Sequence, residues 1–494
     1  MNTPLFLAID AGTTSSRALV FDRAGAPLAV RRRAFAQHYP HDGWVEHDPE
    51  EIWQTTLAAC REALAQVDGG AVAAIGIANQ RETTLVWERD GGAAIYPAIV
   101  WQDRRTAPKC EELQRKGLAE TVRAKTGLVL DAYFSATKIA WILDHVDGAR
   151  ARAEAGELAF GTVDSFLLWR LTGGRHLTDA TNAGRTLLFD IHKQRWDDEL
   201  TAIFDVPAAL LPEVRDCADD FGVAGAEHFG REIRVGGVAG DQHAALVGQA
   251  CFAPGMLKST YGTGCFALMN CGAQAAASKN RLLTTLAYRL DGRATYALEG
   301  SIFNAGTAVQ WLRDDLGLFA DNRAIDALLA STAGNAGVYF VPAFTGLGAP
   351  HWDARARAAI LGLTRDTSKA QLVRAALEAV CYQTRDLLQA MRADSGREIA
   401  VLRVDGGMAV NDWLLQFLAD VAAAEVQRPA ALESTAWGAA CLAGLQCGAF
   451  DSLDDISEAW RPERTFQPCG DEAATTAAIA GWEEALRRVK TSGE

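Results

Sequence analysis

The chain reads as an α/β protein in which one architecture is used twice, with a ligand cleft between the halves. Three features carry that reading. Strand-like runs at 5–9, 18–22, 28–36 and 72–78 surround one helix in a βββαβ order. A similar order begins again after about residue 250, with runs at 256–260, 265–270 and 295–299 and a helix from about 304 to 316. In each half a polar, glycine-bearing hairpin joins the first two strands. At 494 residues the chain is too long for one ordinary core and points to two to four domains; the repeat divides it into 1–248 and 249–494.

The first hairpin, Asp10-Ala11-Gly12-Thr13-Thr14-Ser15-Ser16-Arg17, sets a carboxylate, a glycine, four hydroxyls and an arginine between two apolar runs. Backbone N–H groups and hydroxyls in such a turn can converge on one anionic group. Four consecutive hydroxyls followed by arginine exceed what a turn alone requires. Asp10 beside phosphate oxygens makes chemical sense with Mg²⁺ between them, because that ion prefers one or two carboxylates together with phosphates and water. Arg17 can neutralise a terminal phosphate.

The helix that follows opens on Asp48-Pro49-Glu50-Glu51, an N-cap with proline at the first position and a carboxylate at the third. The run at 72–78 leads into Asn79-Gln80-Arg81-Glu82-Thr83-Thr84, and the run at 235–238 into Ala239-Gly240-Asp241-Gln242. Such polar strand ends suit the hydroxyls of a small polyol, since a site built on hydrogen bonds rejects ligands that lack the matching groups. An exposed ion pair is the competing explanation for Arg81-Glu82. Trp101-Gln102-Asp103-Arg104-Arg105 and Asp131-Ala132-Tyr133-Phe134 add aromatic walls, with core packing as the alternative. Asp241, after Gly240 at a strand end, can serve as the general base of a phosphoryl transfer or simply cap the helix after it.

In the second half Tyr261-Gly262-Thr263-Gly264-Cys265 repeats the hairpin, with two glycines that permit close backbone approach. Ser368-x-x-Gln371 opens a long helix with Leu372, Ala376, Val380, Leu387 and Met391 on one face. A buried strand at 401–404 then runs into Asp405-Gly406-Gly407, whose bare backbone suits the adenosine part of a nucleotide, and a helix from about 412 to 424 follows. No G-x-x-x-x-G-K-[ST] occurs, and no G-x-G-x-x-G follows a strand, which leaves a hairpin-cradled nucleoside triphosphate as the expected ligand.

Composition excludes other classes. Apolar residues make up 49% and charged residues 22%, close to globular averages. A net charge of −14 argues against nucleic acid and anionic membranes, and Arg31-Arg32-Arg33 reads as a solvated strand end. Ten cysteines without a C-x-x-C pair form neither a zinc nor a disulfide framework and fit a reducing compartment as small buried residues. The N-terminus lacks a basic leader and no run approaches a membrane span, so a cytoplasmic protein without membrane insertion is expected.

Together these segments resemble the sugar and polyol kinases of the FGGY family, and the likeness runs almost the whole length of the chain. It rests on the Asp10 hairpin, Gln80-Arg81-Glu82-Thr83-Thr84, Trp101-Gln102-Asp103-Arg104-Arg105 and Tyr133-Phe134-Ser135-Ala136-Thr137-Lys138. Gly161-Thr162-Val163-Asp164-Ser165-Phe166-Leu167, Gly240-Asp241-Gln242, Tyr261-Gly262-Thr263-Gly264-Cys265-Phe266 and Asp405-Gly406-Gly407 extend it. The R-E-T-T and W-Q-D-R-R segments are those of members acting on glycerol, and members phosphorylating larger sugars generally lack them.

The resemblance implies two actin-like ATPase domains of the ribonuclease H type. The first would carry glycerol and one phosphate hairpin, the second the other hairpin and the adenosine. It further implies ATP- and Mg²⁺-dependent transfer to the terminal hydroxyl of glycerol, giving sn-glycerol 3-phosphate as the first step of glycerol utilisation, by a homodimer or homotetramer. Carried across residue by residue, Arg81, Glu82, Tyr133, Asp241 and Gln242 would hold the hydroxyls, Trp101 and Phe266 would wall the carbon face, and Asp241 would be the general base. Thr13, Thr14, Ser15, Arg17, Thr263, Gly306, Gln310, Gly407 and Asn411 would contact the nucleotide, and Asp10 the magnesium. Two departures are visible: Ala11 stands where the family commonly has glutamine, and Glu232 stands where members inhibited by fructose 1,6-bisphosphate have arginine. His228, in a region where some relatives carry a phosphohistidine, reads as a lone surface histidine.

Two other functions fit the same residues. One is a kinase for another small polyol or ketose, such as erythritol, dihydroxyacetone or xylulose. The other is a non-catalytic nucleotide switch, which has no use for a base at Asp241.

Overall fold

Alternating apolar residues and short turns build one sheet in each half. In the computed structural model, which describes residues 4–353 and 355–491, the first sheet comprises β1 (Leu5–Ala11), β2 (Ser15–Phe21), β3 (Pro27–Ala34), β4 (Val72–Asn79), β5 (Ala218–Ala224) and β6 (Ile233–Gly240). Their spatial order is β5-β6-β4-β1-β2-β3, with β1, β2 and β3 antiparallel neighbours and β4 and β6 parallel to β1. The second sheet comprises β7 (Met256–Tyr261), β8 (Cys265–Gly272), β9 (Leu283–Leu290), β10 (Arg293–Ile302), β11 (Val401–Asp405), β12 (Val426–Pro429) and β13 (Pro462–Phe466). Its order is β9-β10-β8-β7-β11-β12-β13, with β7, β8 and β10 antiparallel and β11 and β12 parallel to β7. Five strands therefore recur in the same order and sense, three antiparallel and then two parallel, as the repeated sequence pattern implies. Strand β9 is absent from the sequence expectation because Thr284, Thr285 and Arg289 interrupt its apolar run, although seven of its eight residues are buried.

Two of the helices open on the expected end signals. Asp48 caps α1 (Pro49–Leu64), accepting the Glu50 N–H at 2.8 Å. Ile52, Trp53, Leu57 and Cys60 of α1 pack into the core of the first half. Later in the chain come α2 (Asp241–Gly248), α3 (Gly306–Asp314), α4 (Lys369–Ser395), α5 (Asp412–Ala422) and α6 (Ser434–Gln446). The Ser368 and Gln371 side chains form the reciprocal capping box that opens α4.

The halves meet backbone to backbone. α2 crosses α6, and only glycine fits the crossing: a Cβ on Gly438 would lie 1.8 Å from the Ala244 carbonyl oxygen, and one on Gly248 2.0 Å from that of Ser434. α6 lies against β1, β4 and β6 of the first sheet, where a Cβ on Gly76 would come within 2.0 Å of the Ala439 carbonyl oxygen. A shared apolar cluster surrounds this crossing, joining Phe6 and Phe21 to Trp437 and Phe450. The end of β6, and with it the start of α2 at Asp241, is thereby fixed against the second half.

All ten cysteines are unpaired and eight are buried. Arg31, Arg32 and Arg33 lie on the edge strand β3, where Arg33 pairs with Glu62 and Arg32 donates to the Ser15 hydroxyl at 2.9 Å. Among the described residues no helix is long and apolar enough to cross a membrane.

Candidate active site

β4 ends beside the first hairpin, and the chain then turns sharply. The Gln80 N–H donates to the Ala11 carbonyl at 2.8 Å and its side-chain amide to that of Gly12 at 3.1 Å. The Thr83 N–H reaches back to the Arg81 carbonyl at 2.7 Å, which places Glu82 at the centre of a three-residue turn with φ of 60°. A non-glycine residue in that region is strained, and the Thr84 and Ser135 hydroxyls hold it there by donating to the Glu82 carbonyl at 3.0 and 3.1 Å.

The turn buries both charged side chains, so Arg81 and Glu82 are not an exposed ion pair: Arg81 is 3% and Glu82 1% exposed. Arg81 grips Glu299 of β10 with both terminal nitrogens, at 2.5 and 3.1 Å. Its Nε lies 3.4 Å from Asp241 Oδ1 and 3.9 Å from Glu82 Oε1. Arg185 closes the network, donating to Glu82 at 2.6 Å and Glu299 at 3.0 Å while its guanidinium lies over the Tyr133 and Phe134 rings. Burial alone would raise the Glu299 carboxyl, but Arg185 and Arg81 outweigh it and hold it down at about 2. Burial likewise opposes the Arg81 charge, and Glu299 and Glu82 outweigh it, so Arg81 stays cationic.

The aromatic residues meet as walls. Trp101 stands edge-on to Tyr133, with centroids 5.5 Å apart, and to Phe266 of the second half at 6.4 Å. Its indole N–H donates to the Thr13 hydroxyl at 3.0 Å, tying this cage to the phosphate hairpin. Gln242 accepts a hydrogen bond from Lys258 through its side-chain oxygen, which leaves its NH₂ group as the available donor. Lys258 is fully buried and also donates to the Thr260 hydroxyl at 3.1 Å.

Asp241 begins α2, and Gly240 rather than Asp241 occupies the cap position. A Cβ on Gly240 would strike Arg81 Cγ at 2.7 Å, so this glycine is what lets Arg81 pass behind Asp241. The Asp241 side chain is 27% exposed. Burial pushes its carboxyl up to about 6; Arg81 and Lys258 work against that rise, and Glu82 and Asp10 add to it.

At the first hairpin, Asp10 is the last residue but one of β1, 5% exposed, and its Oδ2 is paired with Arg17. Arg17 also reaches Glu433, at the start of α6, at 2.5 Å. Of the hairpin hydroxyls, that of Thr13 accepts from Trp101 at 3.0 Å and that of Ser15 from Arg32 at 2.9 Å. Ser16 is turned into the first half, bonded to Thr55 and Thr56 at 3.0 and 2.9 Å, and so contributes packing rather than a phosphate contact.

Across the cleft, the carbonyls of Gly262 and Thr263 accept the N–H groups of Gly306 and Thr307, both at 3.1 Å, which seats the second hairpin on the start of α3. Gly406 has φ of 90° and a Cβ there would lie 2.4 Å from the Tyr261 carbonyl oxygen, whereas a Cβ on Gly407 would meet nothing within 4 Å. Thr263 and Gly407 are exposed here, whereas Gly306 is buried at the start of α3, where a Cβ would lie 2.5 Å from the Gly262 carbonyl oxygen; Gln310 is exposed one turn into α3. Asn411 is occupied structurally: its Oδ1 caps α5 at Leu414 and its Nδ2 donates to Asp326 at 3.1 Å.

The donor set fits magnesium. Among the described residues no protein group donates to Asp10 Oδ1 and no cluster of three or more His, Cys, Asp or Glu side chains forms a metal cage. One carboxylate oxygen without a protein donor, beside a hairpin of hydroxyls, suits Mg²⁺, which takes one or two carboxylates together with phosphates and water.

Glu299, Arg185, Lys258 and Glu433 are the site residues that the sequence reading passes over. Glu299 and Lys258 had a signal, each being the one charge in a run read as a strand. The departures noted above lie outside the cleft: Ala11 is buried in the core of the first half and Glu232 is exposed. His228 is less open than a surface histidine, with a side chain 12% exposed and its ring edge-on to Trp53.

Comparison with known proteins bears on this geometry. Residues 5–248 match the N-terminal domain of the FGGY family of carbohydrate kinases and residues 257–447 its C-terminal domain. The chain belongs to the FGGY family. This FGGY kinase is 60% identical over 491 residues to the glycerol kinase of Rhodospirillum centenum, covering 99% of this chain and 98% of that one. It is 59% identical over 488 residues to glycerol kinase 1 of Pseudomonas aeruginosa, covering 98% and 99%. Among solved structures, the glycerol kinase of Plasmodium falciparum with ADP superposes with a TM-score of 0.94 at 34% identity, over 99% of this chain and 98% of that one. A xylulose kinase from Lactobacillus acidophilus, TM-score 0.89 at 21% identity, shares the fold over 99% of both chains. The two halves of this FGGY kinase are the actin-like, ribonuclease H-type domains of its family.

Proposed function

We propose that this kinase transfers the γ-phosphoryl group of ATP to a terminal hydroxyl of glycerol, giving sn-glycerol 3-phosphate, with residues 1–248 and 249–494 as the two jaws of the site. The observation that carries this reading is the setting of Asp241: a half-buried carboxylate between the Arg81 and Gln242 donors, in a site that also gathers the rings of Trp101, Tyr133 and Phe266. Full-length relatives at about 60% identity that are glycerol kinases favour glycerol over erythritol, dihydroxyacetone or xylulose.

In this mechanism Arg81, the Gln242 NH₂ group, Glu82 and Tyr133 fix the hydroxyls while the rings of Trp101 and Phe266 cover the carbon face. Asp241 accepts the proton of the attacking hydroxyl. Thr13, Thr14, Ser15 and Thr263 face the phosphates, Arg17 balances their charge, and Gly306, Gln310, Gly407 and Asn411 border the adenosine. Arg17 must then share its guanidinium between Asp10, Glu433 and the incoming anion. Magnesium, held by Asp10, would neutralise phosphate charge during transfer. The rest of the catalysis is positioning and electrostatics, as phosphoryl transfer demands. The ten unpaired cysteines support a cytoplasmic setting for the enzyme.

ADP release measured with glycerol, erythritol, dihydroxyacetone and xylulose tests the reading. Glycerol should give the highest kcat/KM, and Asp241→Asn should cut glycerol turnover about 10²–10⁴-fold while ATP still binds. A higher kcat/KM for another acceptor, or full turnover by Asp241→Asn, would overturn it.

A further inference from the structure

The donor that recognises the polyol is not held by its own half. Arg81 belongs to the segment after β4, yet two of its terminal N–H groups are committed to Glu299, a carboxylate from β10 of the second half. We propose that Glu299 is a positioning residue for acceptor recognition: by anchoring Arg81 and Arg185 across the cleft, it holds the Arg81 guanidinium off Asp241 and aimed at a polyol hydroxyl, and so sets the preference for a triol over a diol. The inference rests on the proposed glycerol phosphorylation.

The charges and distances require such an anchor. Arg81, Arg185, Glu82 and Glu299 are all buried and balance as two positive and two negative groups. Asp241 is a fifth, partly exposed charge whose Oδ1 is 3.4 Å from Arg81 Nε, longer than the 2.5 and 3.1 Å contacts to Glu299. Take the Glu299 charge away, and two carboxylates remain beside Arg81: Glu82 at 3.9 Å, already engaged by Arg185, and Asp241, whose Oδ1 is nearer at 3.4 Å and has no such partner on that oxygen but the Gln242 N–H. The guanidinium would then close on the base and stop presenting its free N–H groups to a hydroxyl. Glu299 also carries Arg185, which in turn fixes Glu82. One carboxylate from the second half therefore orients both members of the Arg81-Glu82 pair. Because it crosses the cleft, acceptor recognition is complete only when the halves are together.

The test compares glycerol with propane-1,2-diol and propane-1,3-diol, each lacking one hydroxyl, in wild type and Glu299→Gln. A site that binds a hydroxyl through a fixed charged donor discriminates strongly against its absence. The kcat/KM ratio of glycerol to each diol should fall about tenfold or more for at least one diol in Glu299→Gln, with KM for ATP within about twofold of wild type. A ratio is independent of how much protein is folded, so a purely structural role would lower all rates and leave it unchanged. A ratio within about twofold of wild type for both diols overturns the inference. Because a single removal leaves two buried arginines short of a partner, the double variant Glu299→Gln with Arg185→Gln serves where the single one does not fold. It removes one charge of each sign and should show the same fall, and an unchanged ratio in it likewise overturns the inference. Glu299→Asp, which keeps the charge one methylene short, should recover part of the ratio. No turnover of glycerol by wild type would overturn the proposed activity itself, a result the same assay separates from failure of the Glu299 argument.

Discussion

The raised carboxyl of Asp241 makes acid pH a direct probe of its proposed role as general base. Burial lifts it from the ordinary 3.8 to about 6, so the proton is bound below that value and the base is lost as pH falls. With a value near 6, about nine-tenths of the enzyme carries the base at pH ~7 and about one-tenth at pH ~5; with an unperturbed aspartate about nine-tenths would keep it at pH ~5. We expect kcat/KM for glycerol, measured by coupled ADP release at saturating Mg-ATP, to fall about tenfold between those pH values. Unfolding is separated from this fall by thermal melts at both pH values, because His47, His176 and His243, kept neutral by burial, cost stability as pH drops through about 6.5, while two carboxylates add it. A carboxyl raised in the folded state binds its proton more tightly than in the unfolded chain, so it adds stability as pH drops from 6 toward 3.8, and Asp164, raised by burial to about 7, acts in the same sense. Glu299, held down at about 2, keeps its stabilising charge until well below pH ~5. In Asp241→Asn the residual rate should lose this acid limb. A flat profile between pH ~5 and ~7 in the wild type, or the same limb persisting in Asp241→Asn, would refute the assignment.

Three further outcomes follow from the geometry. Gly407→Val adds a side chain that meets no protein atom at its Cβ, so the melting temperature should hold while KM for ATP rises about tenfold or more and KM for glycerol stays put; equal KM values for ATP would remove Gly407 from the nucleotide rim. Gly438→Ala drives a Cβ into the backbone of α2 at 1.8 Å, where no side chain can yield, and should cost about 3 kcal/mol or more in urea unfolding; a loss under about 1 kcal/mol would mean that the α2–α6 crossing relaxes freely. Because Trp101 and Phe266, the proposed walls of the acceptor site, come from opposite halves, ATP hydrolysis without glycerol should be weak, and a basal rate close to the stimulated one would contradict closure on the polyol.

How far the site was legible depended on whether its chemistry was local. The hairpins, the Asp48 cap, the Ser368 capping box and Gly406 are local instructions: a few adjacent residues determine a turn or a helix end, and the structure follows them. The strand order could be inferred because the same local pattern occurs twice. Strand β9 escaped because a buried strand may carry threonines and an arginine when partners elsewhere satisfy them, as Asp216 does for Arg289 at 2.5 Å. The charged network failed for the same reason on a larger scale. Arg81 and Glu82 stand side by side and suggest a pair with each other, yet their strongest partners are 218 and 103 positions away. Nothing in the spacing of Arg81, Arg185 and Glu299 links them; only the packing of one half on the other does. A buried charge is tolerable only when another charge meets it. The useful signal was therefore the one charge in a run read as a strand, Lys258 in β7 and Glu299 in β10. Each announced a partner without saying where it was, and in both cases the partner lay across the cleft, at Gln242 and at Arg81. The residues hardest to read from the sequence are thus those that join the halves, which is where a kinase that must exclude water has most need of them.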